Sequence, residues 1–278
     1  MTNRKGRSAK KPTGSHAGQS RRKSPARASA GPQGRTIRLY GVHPVAAALA
    51  NPARRCRRLT ATSAALAGLC ERLGRALERD GLVITEASRD EVARLLDDDR
   101  SGGAIHQGLV LEAAPLAQPA FDDICATDKA PRLVLLDRVN DPQNLGAVIR
   151  AAAAFGVGAV IVPDRHAPEI SGALAKASAG TIEIVPLLRV ANIARAIALL
   201  QRRGYWCVGL DGGARQTLAS AKPDGPIALV LGAEGAGMRR LTLERCDVIL
   251  RLPISDAVES LNLATAAAVA LYELAKEK

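Results

Sequence analysis

Acidic residues are missing from the front of this chain of 278 residues: the first is Glu71, and residues 1–70 hold fifteen Lys and Arg. Beyond residue 70 the balance is 24 positive against 27 negative charges, so the net charge of +12 belongs to the front. Such asymmetry points to a polyanionic partner, nucleic acid first, with a solvated tail that aids solubility as the bland alternative. Aromatic residues make up only 2%. Core volume must therefore come from Ala, Leu, Val and Ile, which suits helices packed on a parallel sheet. No apolar run approaches the ~20 residues of a membrane span. No apolar signal-peptide core follows the basic start, so a cytoplasmic protein is expected. The five cysteines, Cys56, Cys70, Cys125, Cys207 and Cys246, are scattered and form no C-x-x-C pair. That excludes a disulfide framework and a zinc site, no metal is expected, and the cysteines read as reduced, mostly buried thiols.

The chain divides by composition. Residues 1–36 are Lys, Arg, Ser, Gly, Pro and Ala with almost no apolar anchor, and are expected to form a disordered basic tail. Residues 37–115 read as a small α/β domain. It opens on Ile37–Pro44, carries an amphipathic helix over Ala64–Arg79 with Leu66, Leu69, Cys70, Leu73 and Leu77 on one side, and has strands at Leu59–Thr62, Val83–Glu86 and Gly108–Ala113. A helix over Asp90–Leu96 is expected to be capped by Ser88 or Asp90. Residues 116–130 read as a linker. Residues 131–278 alternate strand and helix in the manner of a parallel sheet. Strands are expected at 133–136, 159–162, 182–185, 206–210, 227–231 and 248–250, and helices at 144–155, 172–178, 191–202 and 260–277.

Three segments in this second part stand where the carboxyl ends of strands would be, the edge at which open α/β sheets bind ligands. The first is Asp141-Pro142-Gln143-Asn144-Leu145-Gly146-Ala147-Val148-Ile149-Arg150. Pro142 suits a first helical turn, and Arg150 is a conspicuous charge on an Ala-rich helix. The second is Gly232-Ala233-Glu234-Gly235-Ala236-Gly237. It is neither the dinucleotide fingerprint nor a P-loop, but its glycines permit close backbone approach to a ligand. The third runs from Leu252-Pro253 to Ser260-Leu261-Asn262, with Ser260 a good N-cap for the last helix. Taken singly, each is compatible with an ordinary strand-to-helix turn or a surface charge. Three in this order, tipped by Asn144, Arg150, Glu234, Ser260 and Asn262, look like a site.

Together the segments resemble the SpoU, or TrmH, family of RNA 2′-O-ribose methyltransferases. The family's N-x-G-x-x-x-R motif is matched by Asn144 to Arg150, its G-x-E-x-x-G by Gly232 to Gly237, and its closing S-L-N by Ser260, Leu261 and Asn262. Tyr40-Gly41-Val42-His43-Pro44-Val45 and His106-Gln107-Gly108 look like the edges of the small substrate-binding domain of the ribosomal branch, which methylates a guanosine ribose in large-subunit rRNA. Ser255-Asp256 departs from relatives that carry Gly within the third motif, which bears on loop shape and substrate preference.

The resemblance implies a parallel-sheet catalytic domain threaded into a trefoil knot of the SPOUT type, preceded by a small α/β RNA-binding domain. It implies S-adenosylmethionine held mainly by backbone groups at Gly232, Leu252 and Leu261. It implies a catalytic Arg150, with Asn144, Glu234, Ser260 and Asn262 positioning the ribose and Arg150. A guanidinium holds its proton far above neutral pH and is a poor base, so stabilising a phosphate or the developing alkoxide is the better role. The partners implied are rRNA and a second copy of the chain. Two other readings stay open here: a tRNA ribose methyltransferase of the same family, and a non-catalytic RNA-binding assembly factor.

Overall fold

The computed structural model describes residues 36–97, 105–125 and 132–276. The expected basic tail, Thr36 apart, and the end of the expected linker lie outside the described residues.

Residues 37–113 build a four-stranded sheet from β1 (Ile37–Tyr40), β2 (Cys56–Ala61), β3 (Val83–Glu86) and β4 (Leu109–Ala113), in the order β1-β4-β2-β3. β2 and β3 run parallel and the other pairs antiparallel. Leu39, Leu59, Leu109 and Leu111 project from one face into a core shared with α1 (Val42–Ala50) and α2 (Ser63–Leu73). Thr62 caps α2 by accepting from the Ala65 N–H. The amphipathic run ends at Leu73, earlier than its pattern suggests, because a 3-10 turn (Gly74–Leu77) succeeds it. On the other face Tyr40 and Val110 meet Val92 and Leu96 of α3 (Arg89–Asp97). Ser88 caps α3: its Oγ accepts from the Glu91 N–H at 3.3 Å while Glu91 Oε2 accepts from the Ser88 N–H at 2.8 Å. Arg79 donates to the carbonyls of Ala48, Leu49 and Asn51 at the end of α1, and to those of Pro52 and Arg54.

The second sheet has six strands: β5 (Arg132–Leu136), β6 (Ala159–Pro163), β7 (Leu187–Val190), β8 (Trp206–Leu210), β9 (Ile227–Leu231) and β10 (Val248–Leu250). All its pairs are parallel, in the order β10-β8-β9-β5-β6-β7. Its central strands are unbroken apolar runs because both faces are covered. Val134, Leu136, Val160, Leu229 and Leu231 face α5 (Pro142–Ala154), α6 (Gly172–Ala177) and α10 (Leu263–Ala275). Leu133, Leu135, Ile161, Ala228 and Val230 face α7 (Ile193–Gln201) and the α4 turn (Phe121–Cys125). Two short helices, α8 (Leu218–Ala221) and α9 (Arg240–Arg245), complete the chain.

The structure also departs from the sequence reading at a turn, in the linker and at the thiols. Residues 182–185 are not a strand: Thr181–Glu183 is a 3-10 turn, and pairing to β6 starts only at Leu187. Ala179 and Gly180, both in the left-handed region, close the end of α6 and turn the chain there, and Pro186 has no N–H to offer a ladder. The expected linker contains α4, anchored by Phe121 and Ile124 against the second core. Of the thiols whose surroundings are described, only Cys207 is buried; Cys56 and Cys246 are half-buried and Cys70 is exposed. Burial first, and then the Asp247 carboxylate, pushes both Cys207 and Cys246 up to about 12. Both should therefore be inert at pH 8, with roughly one part in ten thousand as thiolate. Mass spectrometry after alkylation of the native protein is expected to find Cys70 labelled and Cys207 and Cys246 untouched until unfolding. Rapid native labelling of either would contradict these environments.

The two sheets meet across α6. A methyl on Gly172 would lie 2.2 Å from the Arg38 carbonyl oxygen, so only glycine allows this approach to β1. Lys176 donates to Gln107 Oε1 at 2.6 Å, and the same oxygen accepts from the Val42 N–H at 3.1 Å. Arg54 Nη2 stands 3.0 Å from Glu183 Oε1, both side chains almost wholly buried. Asn51 donates to the other carboxylate oxygen at 2.9 Å. Burial pushes Glu183 up and Arg54 down from their ordinary values, and each charge opposes the other's shift. On its far side α6 receives α5 at Gly146, where an added methyl would lie 2.4 Å from Ala177 Cβ.

Candidate active site

The three motif segments converge at the carboxyl edges of β5, β9 and β10. Each is held by a different local device. Asp141 caps α5, its two carboxylate oxygens accepting from the N–H groups of Gln143 and Asn144 at 3.0 and 3.1 Å. Pro142 opens the helix, where a missing N–H costs nothing. Asn144 is thereby set in the first turn of α5, beside the end of β5.

After β9 the chain closes a tight hairpin. The Ala233 N–H donates to Gly237 O at 3.1 Å and the Gly237 N–H to Ala233 O at 2.9 Å. Gly235 and Gly237 have φ of 69° and 60°, a conformation that strains any residue with a Cβ. Gly232 lies so close to the returning strand that an added methyl would fall 2.0 Å from the Gly237 carbonyl carbon. Asp137, fully buried at the end of β5, fastens the exit of this hairpin: its Oδ2 accepts from the Arg239 N–H at 2.6 Å, and its Oδ1 is 3.4 Å from Arg239 Nη1. Glu234 is left at the tip.

The third device is the start of α10. Its N-cap is Asn262, whose Oδ1 accepts from Ala264 N–H at 2.9 Å and Thr265 N–H at 3.3 Å. This corrects the expectation that Ser260 caps the helix, which begins at Leu263 instead. The reason lies in the tertiary contacts. Asn262 Nδ2 donates to Asn144 Oδ1 at 2.9 Å and to Glu234 Oε1 at 2.8 Å. Glu234 Oε1 also accepts from Asn144 Nδ2 at 3.0 Å and from the Leu263 N–H at 3.1 Å. A serine hydroxyl could not make the same closed triangle while capping, because it has no second donor. The carboxylate also sits at a helix N-terminus, where the axial dipole favours negative charge.

Against this triangle lies a cavity of about 310 Å³. Gly232, Leu252 and Leu261, the three residues expected to hold a cofactor, all line it, as do Glu234 and Ser260. Two predicted residues are placed apart from the triangle. Ser260 is exposed at the cavity wall. Arg150 is exposed, is not in the cavity lining, and has no hydrogen bond or ion pair among the described residues. Six residues at about 100° each carry it roughly a third of a turn round α5 from Asn144. The sequence reading missed two contributors. Asp137 follows β5 directly, four residues ahead of the first segment, and Asp211 follows β8 directly, a carboxylate between a strand and Gly212-Gly213.

Residues 131–272 match the family model described as SpoU rRNA methylase, and residues 38–119 match the one described as RNA 2′-O ribose methyltransferase substrate binding. A relative in Escherichia coli (strain K12), 23S rRNA (guanosine-2′-O-)-methyltransferase RlmB, is 39% identical over 243 residues, covering 86% of this chain and 98% of its own length. The enzyme of that name in Vibrio parahaemolyticus is 43% identical over 201 residues, covering 71% of this chain and 81% of its own. Two crystal structures share the fold. The SpoU methyltransferase AviRb from Streptomyces viridochromogenes, in complex with the cofactor AdoMet, aligns with a TM-score of 0.71 at 22% identity, over 86% of this chain and 89% of its own. An AdoMet-bound rRNA methyltransferase from Sinorhizobium meliloti aligns with a TM-score of 0.71 at 23% identity, over 87% of each chain. Motif order, the convergence of the motifs on one sheet edge and similarity along both sheets agree: the chain belongs to the SpoU rRNA methylase family.

Proposed function

We propose that this chain is an S-adenosylmethionine-dependent RNA 2′-O-methyltransferase that acts on a guanosine ribose of large-subunit rRNA. The observation that carries the reading is the Asn144–Glu234–Asn262 triangle at the mouth of a cavity lined by Gly232, Leu252 and Leu261. It is supported by similarity across 98% of the Escherichia coli rRNA guanosine methyltransferase.

The cavity suits the donor. Its volume is at the small end of the range of ligand sites, about 300–1,000 Å³. Its floor is glycine backbone held too close for a side chain, and its walls include Leu210, Leu252 and Leu261. Those leucines offer a dry slot for an adenine, and the backbone at Gly232, Leu252 and Leu261 offers the hydrogen bonds. When bound, S-adenosylmethionine supplies an electrophilic methyl group on a good leaving group. The protein's own task is to bring a ribose hydroxyl into line, exclude water and manage its proton. The triangle leaves Glu234 Oε2 and the second Asn144 amide hydrogen free of any partner among the described residues, available to orient a ribose. Ser260 can add a hydroxyl from the wall. Arg150 acts as a fixed positive charge against the developing alkoxide or the adjoining phosphate.

Arg150 stands apart from the triangle of its own chain, and this supports a homodimer in which a second copy completes the site. Val269 and Tyr272 are exposed on α10, and Tyr272 meets Phe155 at the end of α5 edge-on, leaving an apolar strip beside that helix. Residues 37–115 then form the RNA-binding domain, 131–278 the catalytic domain with a trefoil knot, 116–130 the join and 1–36 a tail that adds phosphate contacts. Action in the cytoplasm is part of the proposal; no helix among the described residues is long and apolar enough to cross a membrane.

The test is transfer from labelled S-adenosylmethionine to total RNA that lacks its own modifications, with rRNA and tRNA separated and the labelled nucleoside identified. The expected product is 2′-O-methylguanosine in large-subunit rRNA. Label confined to tRNA would replace the substrate, and no label with rRNA or pre-ribosomal particles would overturn the enzymatic reading.

A further inference from the structure

The cavity wall contains three carboxylates, Asp211, Glu234 and Glu259, and no Lys, Arg or His. Glu234 has Oε1 committed to the triangle and Oε2 offered to the ribose, and Glu259 is exposed at the rim. Asp211 is held in a different way. Its N–H donates to Leu250 O at 3.0 Å, which carries the β8–β10 pairing one residue past the strand. Its Oδ1 accepts from the Gly213 N–H at 2.8 Å, so the side chain closes a small turn on itself. The second oxygen, Oδ2, faces the glycine hairpin: a methyl on Gly237 would lie 3.8 Å from it. No cation pairs with Asp211 among the described residues. A fixed carboxylate, half-buried and without a counter-charge, lowers the free energy of a cationic occupant relative to a neutral one of similar shape.

We propose, on the S-adenosylmethionine reading above, that Asp211 is a specificity-determining residue by which the cavity prefers the charged methyl donor to the uncharged thioether left after transfer. Donor and by-product differ by one methyl group and one formal positive charge at sulfur. The adenine, ribose and amino-acid parts are common to both, so a cavity that reads only these parts binds both alike and is inhibited by its own product. A carboxylate facing the cavity separates them by charge. The turn closed by Oδ1 explains how the charge stays aimed inward instead of swinging to solvent.

The variant that isolates the charge is Asp211→Asn, because the amide oxygen can still accept from Gly213 and hold the turn. Calorimetric titration of the full chain uses three probes. These are S-adenosylmethionine, sinefungin (which carries an ammonium group near the position of the sulfonium) and S-adenosylhomocysteine. Asp211→Asn is expected to weaken the two charged ligands by about five- to tenfold and the thioether by less than about twofold. Equal weakening of all three, or no change in any, overturns the proposal while leaving the donor reading intact. A wild-type chain that binds none of the three overturns both. A Glu259→Gln variant that alone reproduces the selective loss would assign the discrimination to the rim and overturn the role of Asp211.

Discussion

Replacing Arg150 with alanine is expected to cut methyl transfer by roughly a hundred- to a thousandfold, the usual cost of removing one preorganised group from a developing negative charge, while S-adenosylmethionine affinity stays within about twofold. The structural argument is the separation of duties in the site. Arg150 does not line the cavity and, among the described residues, makes no hydrogen bond to its lining and no ion pair with a neighbour. Its loss should therefore leave folding and donor binding in place. The same separation predicts that Arg150→Lys rescues poorly. A lysine keeps the charge but loses the planar fork that grips phosphate or alkoxide oxygens. Single-turnover kinetics with rRNA, run beside calorimetric titration of the donor, checks both halves. Unchanged turnover in Arg150→Ala would remove Arg150 from the mechanism. A parallel collapse of donor affinity would mean that its role is in building the cavity.

The second large effect is expected at Gly232. Gly232→Ala places a methyl 2.0 Å from the Gly237 carbonyl carbon and 2.2 Å from the Met238 nitrogen. No real Cβ tolerates such contacts with backbone, so the hairpin must move. With it go the two hydrogen bonds between Ala233 and Gly237, the height of Glu234 above the cavity, and the three donors converging on Glu234 Oε1. Overpacking of this kind typically costs about 1–3 kcal/mol. Donor affinity should fall further, by at least about a hundredfold, because the floor of the cavity is the displaced element. The comparison is Gly212→Ala, where an added methyl meets no atom within 4 Å. Thermal unfolding should barely distinguish Gly212→Ala from wild type. If Gly232→Ala unfolds at the wild-type temperature and binds the donor normally, the hairpin is softer than its geometry implies.

Much of the second sheet was legible from local pattern. β8, β9 and β10 begin and end where their apolar runs do, because no polar residue interrupts those runs and turn residues bound them. The same reasoning failed at residues 182–185, where two isoleucines and a valine imitate a strand. Their neighbours decide otherwise: Gly180 turns the chain and Pro186 withholds a donor. Of the candidate site, the sequence named Asn144, Glu234 and Asn262 but not the way they meet. Nothing local favours Asn262 over Ser260 as a cap, since both are good N-cap residues. The choice is made by Asn144 and Glu234, contributed by the start of α5 and by the hairpin after β9. Arg54 gave even less warning. Within Arg54-Arg55-Cys56-Arg57-Arg58 it reads as one more surface charge of a basic segment, yet it alone of the four arginines is buried. Its carboxylate partner lies in the other half of the chain, beyond the reach of any sequence window.

That pairing bears on how this protein can be taken apart. The family models divide the chain into a substrate-binding piece and a methylase piece, which invites excision of either or exchange of one front module for another. The energetic seam runs elsewhere. Cutting between the pieces would strand Arg54 on one fragment and Glu183 on the other, each shaped for a dry interior, and would bare the glycine notch at Gly172 that receives β1. A chimera that keeps the apparent module boundary but omits Arg54 inherits a lone carboxylate in its core. The smallest portable unit of this architecture is therefore the front sheet together with α6 and the 3-10 turn that carries Glu183, so an exchange of front modules has to carry residues 172–183 with it.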